Sequence, residues 1–204
     1  MAKKIEIRKI VPEDVKTIAL LHQKTVPGLS AKLEKDYLTY FYRLIIGHPE
    51  IHTCLAVLMD NKIVGVITVT QDAKKTYQLL HSLLSPKIVW RVLIGIIRGK
   101  ISLWEIINRF RFERFIEKRL VSPYISILTV FVKKEYKKQG IGRLLLKTVI
   151  DHHLKPESRL YVDTRADNPK AVKFYQSAGF AIKDIAFGNL ILEYKTTKTN
   201  LTNL

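Results

Sequence analysis

Two short stretches hold the residue types from which chemistry can be built. The first runs Val130-Phe131-Val132-Lys133-Lys134-Glu135-Tyr136-Lys137-Lys138-Gln139-Gly140-Ile141-Gly142-Arg143-Leu144-Leu145-Leu146: a β-branched run, a basic loop with two glycines, and a helix start. Glycine permits positive φ and close backbone approach, so several N–H groups can face one space while the helix adds its positive end. Such a loop is a cradle for an anion, and a phosphorylated ligand is its natural occupant. No Gly-Lys-Ser/Thr follows at the spacing of a nucleoside-triphosphate loop, and the dinucleotide GxGxxG pattern fails because Leu145 stands where its third glycine belongs. Taken alone, Gly140 and Gly142 are also readable as a plain strand-to-helix turn.

The second stretch is Leu160-Tyr161-Val162-Asp163-Thr164-Arg165-Ala166-Asp167-Asn168-Pro169-Lys170-Ala171-Val172-Lys173-Phe174-Tyr175-Gln176-Ser177-Ala178-Gly179-Phe180. Asn168 is suited to cap a helix, Pro169 to its first position and Gly179 to a left-handed stop. Tyr175 follows Asn168 by seven residues, which places the phenol about two turns along, on the face that begins at the cap. Its ordinary pKa of about 10 keeps a phenol protonated at neutral pH, so it can serve as a general acid. A buried aromatic that only packs the helix is the other reading.

The two stretches, in this order, resemble the signatures of the GCN5-related N-acetyltransferase superfamily, Arg/Gln-x-x-Gly-x-Gly/Ala and Asn-x-x-Ala-x-x-x-Tyr-x-x-x-Gly-Phe. Here the first reads Lys137-x-x-Gly140-x-Gly142, and the second is complete as Asn168, Ala171, Tyr175, Gly179 and Phe180. Lys137 departs from the usual Arg or Gln, keeping a basic loop but removing a planar side chain. The resemblance covers roughly residues 5–194.

The resemblance implies acetyl-CoA as cosubstrate, no metal, and direct acetyl transfer to a primary amine within a ternary complex. The strand ending at Val132 is then expected to splay from its neighbour at a bulge, so that Val130, Phe131 and Val132 pair with the pantetheine arm and an N–H near Val130 serves the thioester carbonyl. The pyrophosphate falls on the loop formed by Lys137, Lys138, Gln139, Gly140, Ile141, Gly142 and Arg143, where a Cβ at Gly140 or Gly142 would intrude. Lys138 and Arg143 can reach the 3′-phosphate or be plain surface charge. Asn168 and Tyr175 complete the coenzyme side, with Tyr175 protonating the departing thiolate. Asp163 occupies the position at which some family members carry a catalytic Glu, and its shorter side chain calls for a water relay if it is the base. It can equally be a strand-end residue bonded to the Arg165 loop. None of the six His shows a metal-ligand pattern such as His-x-x-x-His with a third ligand.

The elements that must position these residues read as an α/β fold: a mixed, mostly antiparallel central sheet flanked by helices, with a helical insertion between the third and fourth strands. Residues 4–10 alternate as a strand, Pro12 opens a helix, and Ser30 can cap a second helix whose stripe is Leu33, Tyr37, Phe41, Leu44 and Ile45. Residues 52–58 and 63–70 form a hairpin, 124–132 the next strand, 142–154 a helix, 160–164 a strand, and 180–187 with 190–195 a closing hairpin. One domain over residues 1–195 is expected, with residues 196–204 as a frayed tail. The edge offered by Leu190 to Lys195 is an opportunity for homodimer pairing.

Residues 74–123 are too many for a structureless connection. They hold eleven Lys or Arg against three Glu, a net +8 of the chain's +17. The run 88–97 is broken by Arg91 and Gly95 and falls short of the roughly 20 residues a membrane span needs. Residues 101–120 place Leu103, Ile107 and Phe110 on one side and Phe112, Phe115 and Ile116 on another, with arginines around them. Such a basic helix can pack on the domain with a solvated rim, dock a partner helix, or lie on an anionic membrane through residues 88–120. It can also lid the acceptor side.

Mean hydropathy of +0.02 describes a water-compatible globular chain. The single Cys54 excludes an intrachain disulfide framework, and Met1 to Ile5 lead straight into a strand pattern without a secretory signal. A cytoplasmic enzyme, peripheral to the membrane if the insertion docks there, is the expectation. Strong positive charge favours an anionic acceptor, with an aminosugar nucleotide as first choice and a protein or peptide amine as second. From another class, the same charge suits a nucleic-acid-binding module on an inactive fold, although no aromatic and basic interleaving matches an RNA-reading motif.

Overall fold

Period-two apolar runs assemble a single sheet, which the computed structural model describes within residues 5–26, 34–82 and 86–195. Its strands are β1 (Ile5–Lys9), β2 (His52–Met59), β3 (Lys62–Thr70), β4 (Tyr124–Val132), β5 (Arg159–Arg165), β6 (Ala181–Ala186) and β7 (Asn189–Lys195). They lie in the order β1-β2-β3-β4-β5-β7-β6. Every neighbouring pair is antiparallel except β4 and β5. The β2–β3 hairpin turns on Asp60 and Asn61, both at positive φ, as a two-residue turn matched to strand twist requires.

The helices are α1 (Val15–Thr25), α2 (Glu34–Gly47), α3 (Ala73–Ser82), α4 (Pro86–Ile97), α5 (Leu103–Glu117), α6 (Ile141–His153) and α7 (Pro169–Ser177). Leu145, Leu146, Val149 and Ile150 of α6 pack with Tyr175 of α7 against Val57, Val64, Ile127 and Val162 on one face of the sheet. Ile18, Leu38, Tyr42 and Ile45 of α1 and α2 cover Ala56, Val66 and Phe131 on the other. Helices therefore bury both faces, and the remaining question is what the insertion covers.

The connection from β3 to β4 is helical, as its length demanded, and comprises α3, α4 and α5. Their inner stripe of Ala73, Tyr77, Phe112 and Ile116 packs on Tyr161 and Ile191. Leu103, Ile107 and Phe110 face outward and stay exposed. The insertion is thus anchored to the sheet by one side of α5 and leaves the other side bare.

Two expectations change. Strand β7, which includes Leu190 to Lys195, lies between β5 and β6 and has no free edge, so it cannot pair a second subunit; the edges are β1 and β6. Pro12 opens a short 3₁₀ turn, Pro12–Asp14, with the α-helix proper starting at Val15. The Ser30 cap, Leu33 and the 196–204 tail fall outside the described residues.

Two buried histidines make the fold acid-sensitive. His22 is 2% exposed with its Nδ1 2.8 Å from the Tyr42 hydroxyl, and His52 is 4% exposed against Thr76. Burial pushes both down to about 4 from an ordinary 6.5. A depressed histidine pKa means stability that is complete above pH 6.5 and is lost as pH falls toward 4, on the order of 3 kcal/mol for each ring. Denaturant midpoints are expected to fall across that window, and His22→Gln to flatten the fall; a midpoint constant from pH 7 to 4 would contradict this.

Candidate active site

The parallel pair is where the sheet opens. β4 and β5 are in register only from Tyr124 and Arg159 to Ile127 and Val162. On its other side β4 slips against β3, with Thr68 opposite Thr129 and Val69 opposite Ile127, so Leu128 is the extra residue of a bulge. Beyond that point Thr129, Val130, Phe131 and Val132 turn away from β5, and Asp163, Thr164 and Arg165 lose their β4 neighbour. The result is a cleft of about 740 Å³ lined by Thr129, Val130, Asp163, Asn168 and Tyr175. Backbone groups on facing strand edges are left unpaired by sheet and are available to an extended ligand.

The basic loop leads out of this cleft. After β4 the chain makes a 3₁₀ turn, Lys134–Tyr136, and Lys138 and Gly140 then adopt positive φ. Gly140 caps α6 at φ +80°, and this left-handed conformation, with no atom within 4 Å of a built Cβ, is why it is glycine. At Gly142 a Cβ would lie 3.1 Å from the ring of Phe174, so this glycine also lets α7 approach α6. Lys137, Lys138 and Gln139 are exposed around the helix start. Arg143 turns toward α7 and donates to the Ser177 carbonyl at 3.3 Å. Gly140→Ala is expected to cost about 1–2 kcal/mol of stability through the forced left-handed alanine, measurable in urea titrations, and to weaken coenzyme A binding in parallel.

Helix α7 starts as its sequence dictates. Asn168 Oδ1 accepts from the Ala171 N–H at 3.2 Å, and Pro169 follows at the first helical position. Tyr175, 6% exposed, packs its ring against Phe174 and Phe180. Burial pushes its phenol above the ordinary value, and the nearby Asp163 charge pushes the same way. The hydroxyl therefore stays protonated at neutral pH, as a proton donor must.

Asp163 meets a partner no spacing argument identified. Its Oδ2 lies 3.6 Å from Arg109 Nη1, and Arg109 comes from α5 of the insertion. The Arg165 loop does not hold it, because Arg165 pairs with Asp167. Arg109 Nε donates to Glu113 Oε1 at 2.8 Å, and Glu113 Oε2 lies 3.1 Å from His81 Nε2 on α3. Burial pushes the Asp163 carboxyl up while Arg109 pulls it down, and the net direction is upward. For Arg109 burial works against the charge, but Tyr77, Asp163 and Glu113 outweigh it and hold the guanidinium firmly protonated. The signal in the sequence was Arg109 and Glu113 at helical spacing of opposite charge inside an apolar stripe.

A second cavity, of about 410 Å³, lies between α1 and α2 on one side and the insertion on the other. Leu38, Phe41, Leu80, Val92, Leu93 and Phe110 give it an apolar lining. It shares Val26, Arg109, Leu128 and Thr129 with the cleft, so the two spaces meet at the β4 bulge. Asn108, one residue from Arg109, lines the cleft with a buried Oδ1 that has no hydrogen-bond partner among the described residues. Among the described residues no group of His, Cys, Asp and Glu is arranged to hold a metal ion.

A sheet opened at its one parallel pair, followed along the chain by a left-handed basic loop and a helix start, is an arrangement suited to an extended ligand that ends in an anion. The chain belongs to the Acetyltransferase (GNAT) family, whose model matches residues 18–180. A curated relative, the [ribosomal protein bS18]-alanine N-acetyltransferase of Escherichia coli strain K12, is 32% identical over 63 residues, 30% of this chain and 43% of that protein. The match thus spans less than half of the relative's length. The fold is that of the PaiA N-acetyltransferase from Thermoplasma acidophilum in complex with coenzyme A, with a TM-score of 0.58 and 16% identity over 95% of this chain and 99% of that one. It is also that of the ribosomal-protein-S18-alanine N-acetyltransferase from Escherichia coli, with a TM-score of 0.55 and 14% identity over 98% and 99% of the two chains.

Proposed function

We propose that this chain transfers an acetyl group from acetyl-CoA to a primary amine borne on an apolar body. The observation that carries the proposal is the meeting of two unlike spaces at the β4 bulge, one holding Asp163, Asn168 and Tyr175 where the sheet opens, the other lined mostly by apolar side chains. The unpaired edge of Val130, Phe131 and Val132 receives the pantetheine arm. The loop of Lys137, Lys138, Gln139, Gly140, Ile141, Gly142 and Arg143 holds the pyrophosphate.

The amine enters from the insertion side, and Asn108 accepts a hydrogen bond from it. Asp163 takes the ammonium proton through a water, and the nitrogen forms its bond to the thioester carbon as the carbon–sulfur bond breaks. An N–H near Val130 stabilises the charge that develops on the carbonyl oxygen. Tyr175 gives its proton to the leaving sulfur. The acylated nitrogen then gives up its second proton to the Tyr175 phenolate and Asp163 passes the first to solvent, so that an ammonium and a thioester become an amide, a thiol and one released proton.

Chain charge alone favours an anionic acceptor such as an aminosugar nucleotide. The chamber favours an apolar one, because its single Lys or Arg among the described residues, Arg109, is already engaged by Glu113 and Asp163. A peptide amino terminus with an apolar first residue is a second reading, supported by the similarity to an alanine N-acetyltransferase. A coenzyme A-release assay with product mass spectrometry separates them. Straight-chain alkylamines are expected to be turned over faster than aminosugar nucleotides or peptides; preferential acetylation of the nucleotides would overturn the apolar reading, and no coenzyme A release with any amine would overturn the activity.

A further inference from the structure

The exposed apolar residues are not spread evenly. Fifteen large hydrophobic residues are exposed among the described residues, and eight of them lie within the 22 positions 89–110, on α4 and α5. On α4, Trp90, Leu93 and Ile97 recur at helical spacing and are 64%, 46% and 83% exposed. On α5, Trp104, Ile107 and Phe110 do the same at 63%, 40% and 42%. A chance scatter of surface leucines does not produce two such stripes.

The two stripes belong to one surface. Ile101 closes the turn between the helices, where a Cβ on Gly95 would lie 2.7 Å from its Cδ1. Leu93 and Phe110 both line the apolar chamber, so the stripes converge at its mouth. The opposite side of α5 is occupied, with Phe112 and Ile116 buried on the sheet. The hairpin is therefore held in place while its outer face is uncovered.

Charge decides what covers it. Arg98 and Lys100 stand in the turn, Arg111 and Arg114 follow on α5, and the chain as a whole carries +17. Two copies meeting through this face would bring like charges together, whereas an anionic lipid surface neutralises them while its acyl boundary takes the apolar stripes. Tryptophan favours that boundary because its ring is apolar and its N–H polar. No helix among the described residues is long and apolar enough to cross a bilayer, so the geometry is that of a hairpin lying on the surface.

We propose that α4 and α5 dock this protein on an anionic bilayer, with the mouth of the apolar chamber facing the lipid. Docking itself rests on the two stripes and the charge. Only the delivery of an apolar amine to the chamber depends on the function proposed above.

The chain supplies its own reporters, since its two tryptophans are Trp90 and Trp104. The full-length protein is mixed with vesicles of phosphatidylcholine alone or with added phosphatidylglycerol, and sedimentation and tryptophan emission are read. Binding and a blue shift are expected with phosphatidylglycerol only, fading at high salt. Ile97→Glu with Ile107→Glu, both exposed and outside the chamber lining, is expected to weaken partition by roughly tenfold or more while leaving acetyl-CoA binding unchanged, which shows that the variant is folded. Absence of vesicle binding, or equal partition of the double variant, would overturn the proposal. So would a lipid-free dimer that the double variant abolishes, since that assigns the face to self-association. Vesicle binding in a protein that acetylates no amine would leave docking standing and remove the catalytic reading instead.

Discussion

Tyr175→Phe is expected to lower kcat by about 10²–10⁴-fold, the usual worth of a positioned general acid, while leaving the affinity for acetyl-CoA within about threefold. The ring contacts with Phe174 and Phe180 do not involve the hydroxyl, so the substitution removes a proton donor and keeps the packing. Burial and the Asp163 charge both hold the phenol protonated, which rules out a phenolate as the base at ordinary pH. Stopped-flow or steady-state kinetics at saturating acceptor, with calorimetric titration of acetyl-CoA, separate the two quantities. A variant with unchanged kcat would take Tyr175 out of the mechanism, and one that no longer bound acetyl-CoA would make its hydroxyl a coenzyme-binding group rather than the acid.

Arg109→Met is expected to move the acid limb of the kcat profile upward by about 1–2 pH units, because an opposite charge at this range favours the ionised carboxyl by that much. The sign follows from the base being active as a carboxylate. Without the guanidinium 3.6 Å away, Asp163 already raised by burial is raised further, so the active form is lost at a higher pH as the solution is acidified. Activity is expected to recover at alkaline pH, and Arg109→Lys to restore most of the limb, since a Lys keeps the charge although it loses the fork to Glu113. A loss of activity equal at every pH would reduce Arg109 to a brace for α5. Asp163→Asn, which cannot take a proton, is expected to abolish the limb altogether.

What was legible in the sequence was local. Asn168, Pro169 and Gly179 act through neighbours a few residues away, and α7 begins and ends where they say. Gly140 needs its left-handed φ because of the turn it makes, which is a local fact too. The outward stripe of Leu103, Ile107 and Phe110 and the inward Phe112 and Ile116 separate by helical periodicity alone. What was not legible joins elements distant in the chain. Arg109 reaches Asp163 across 54 positions because α5 packs over β5, and Glu113 reaches His81 on α3 by the same packing. The close approach of Gly142 to Phe174 spans 32 positions, and the internal place of β7 depends on its inserting between β5 and β6 rather than adding beyond β6. The chamber needed three elements, α1, α2 and the insertion, to be set against one another before its apolar lining could be seen.

The dependence of kcat/KM on chain length for straight-chain primary amines tests most directly whether the acceptor sits in the apolar chamber. Each added methylene that enters it is worth about 0.8 kcal/mol, so kcat/KM is expected to rise roughly fourfold per carbon until the chamber is full and then to level off. A flat series, with an aminosugar nucleotide acetylated faster than any alkylamine, would contradict the account and return the acceptor to the basic surface.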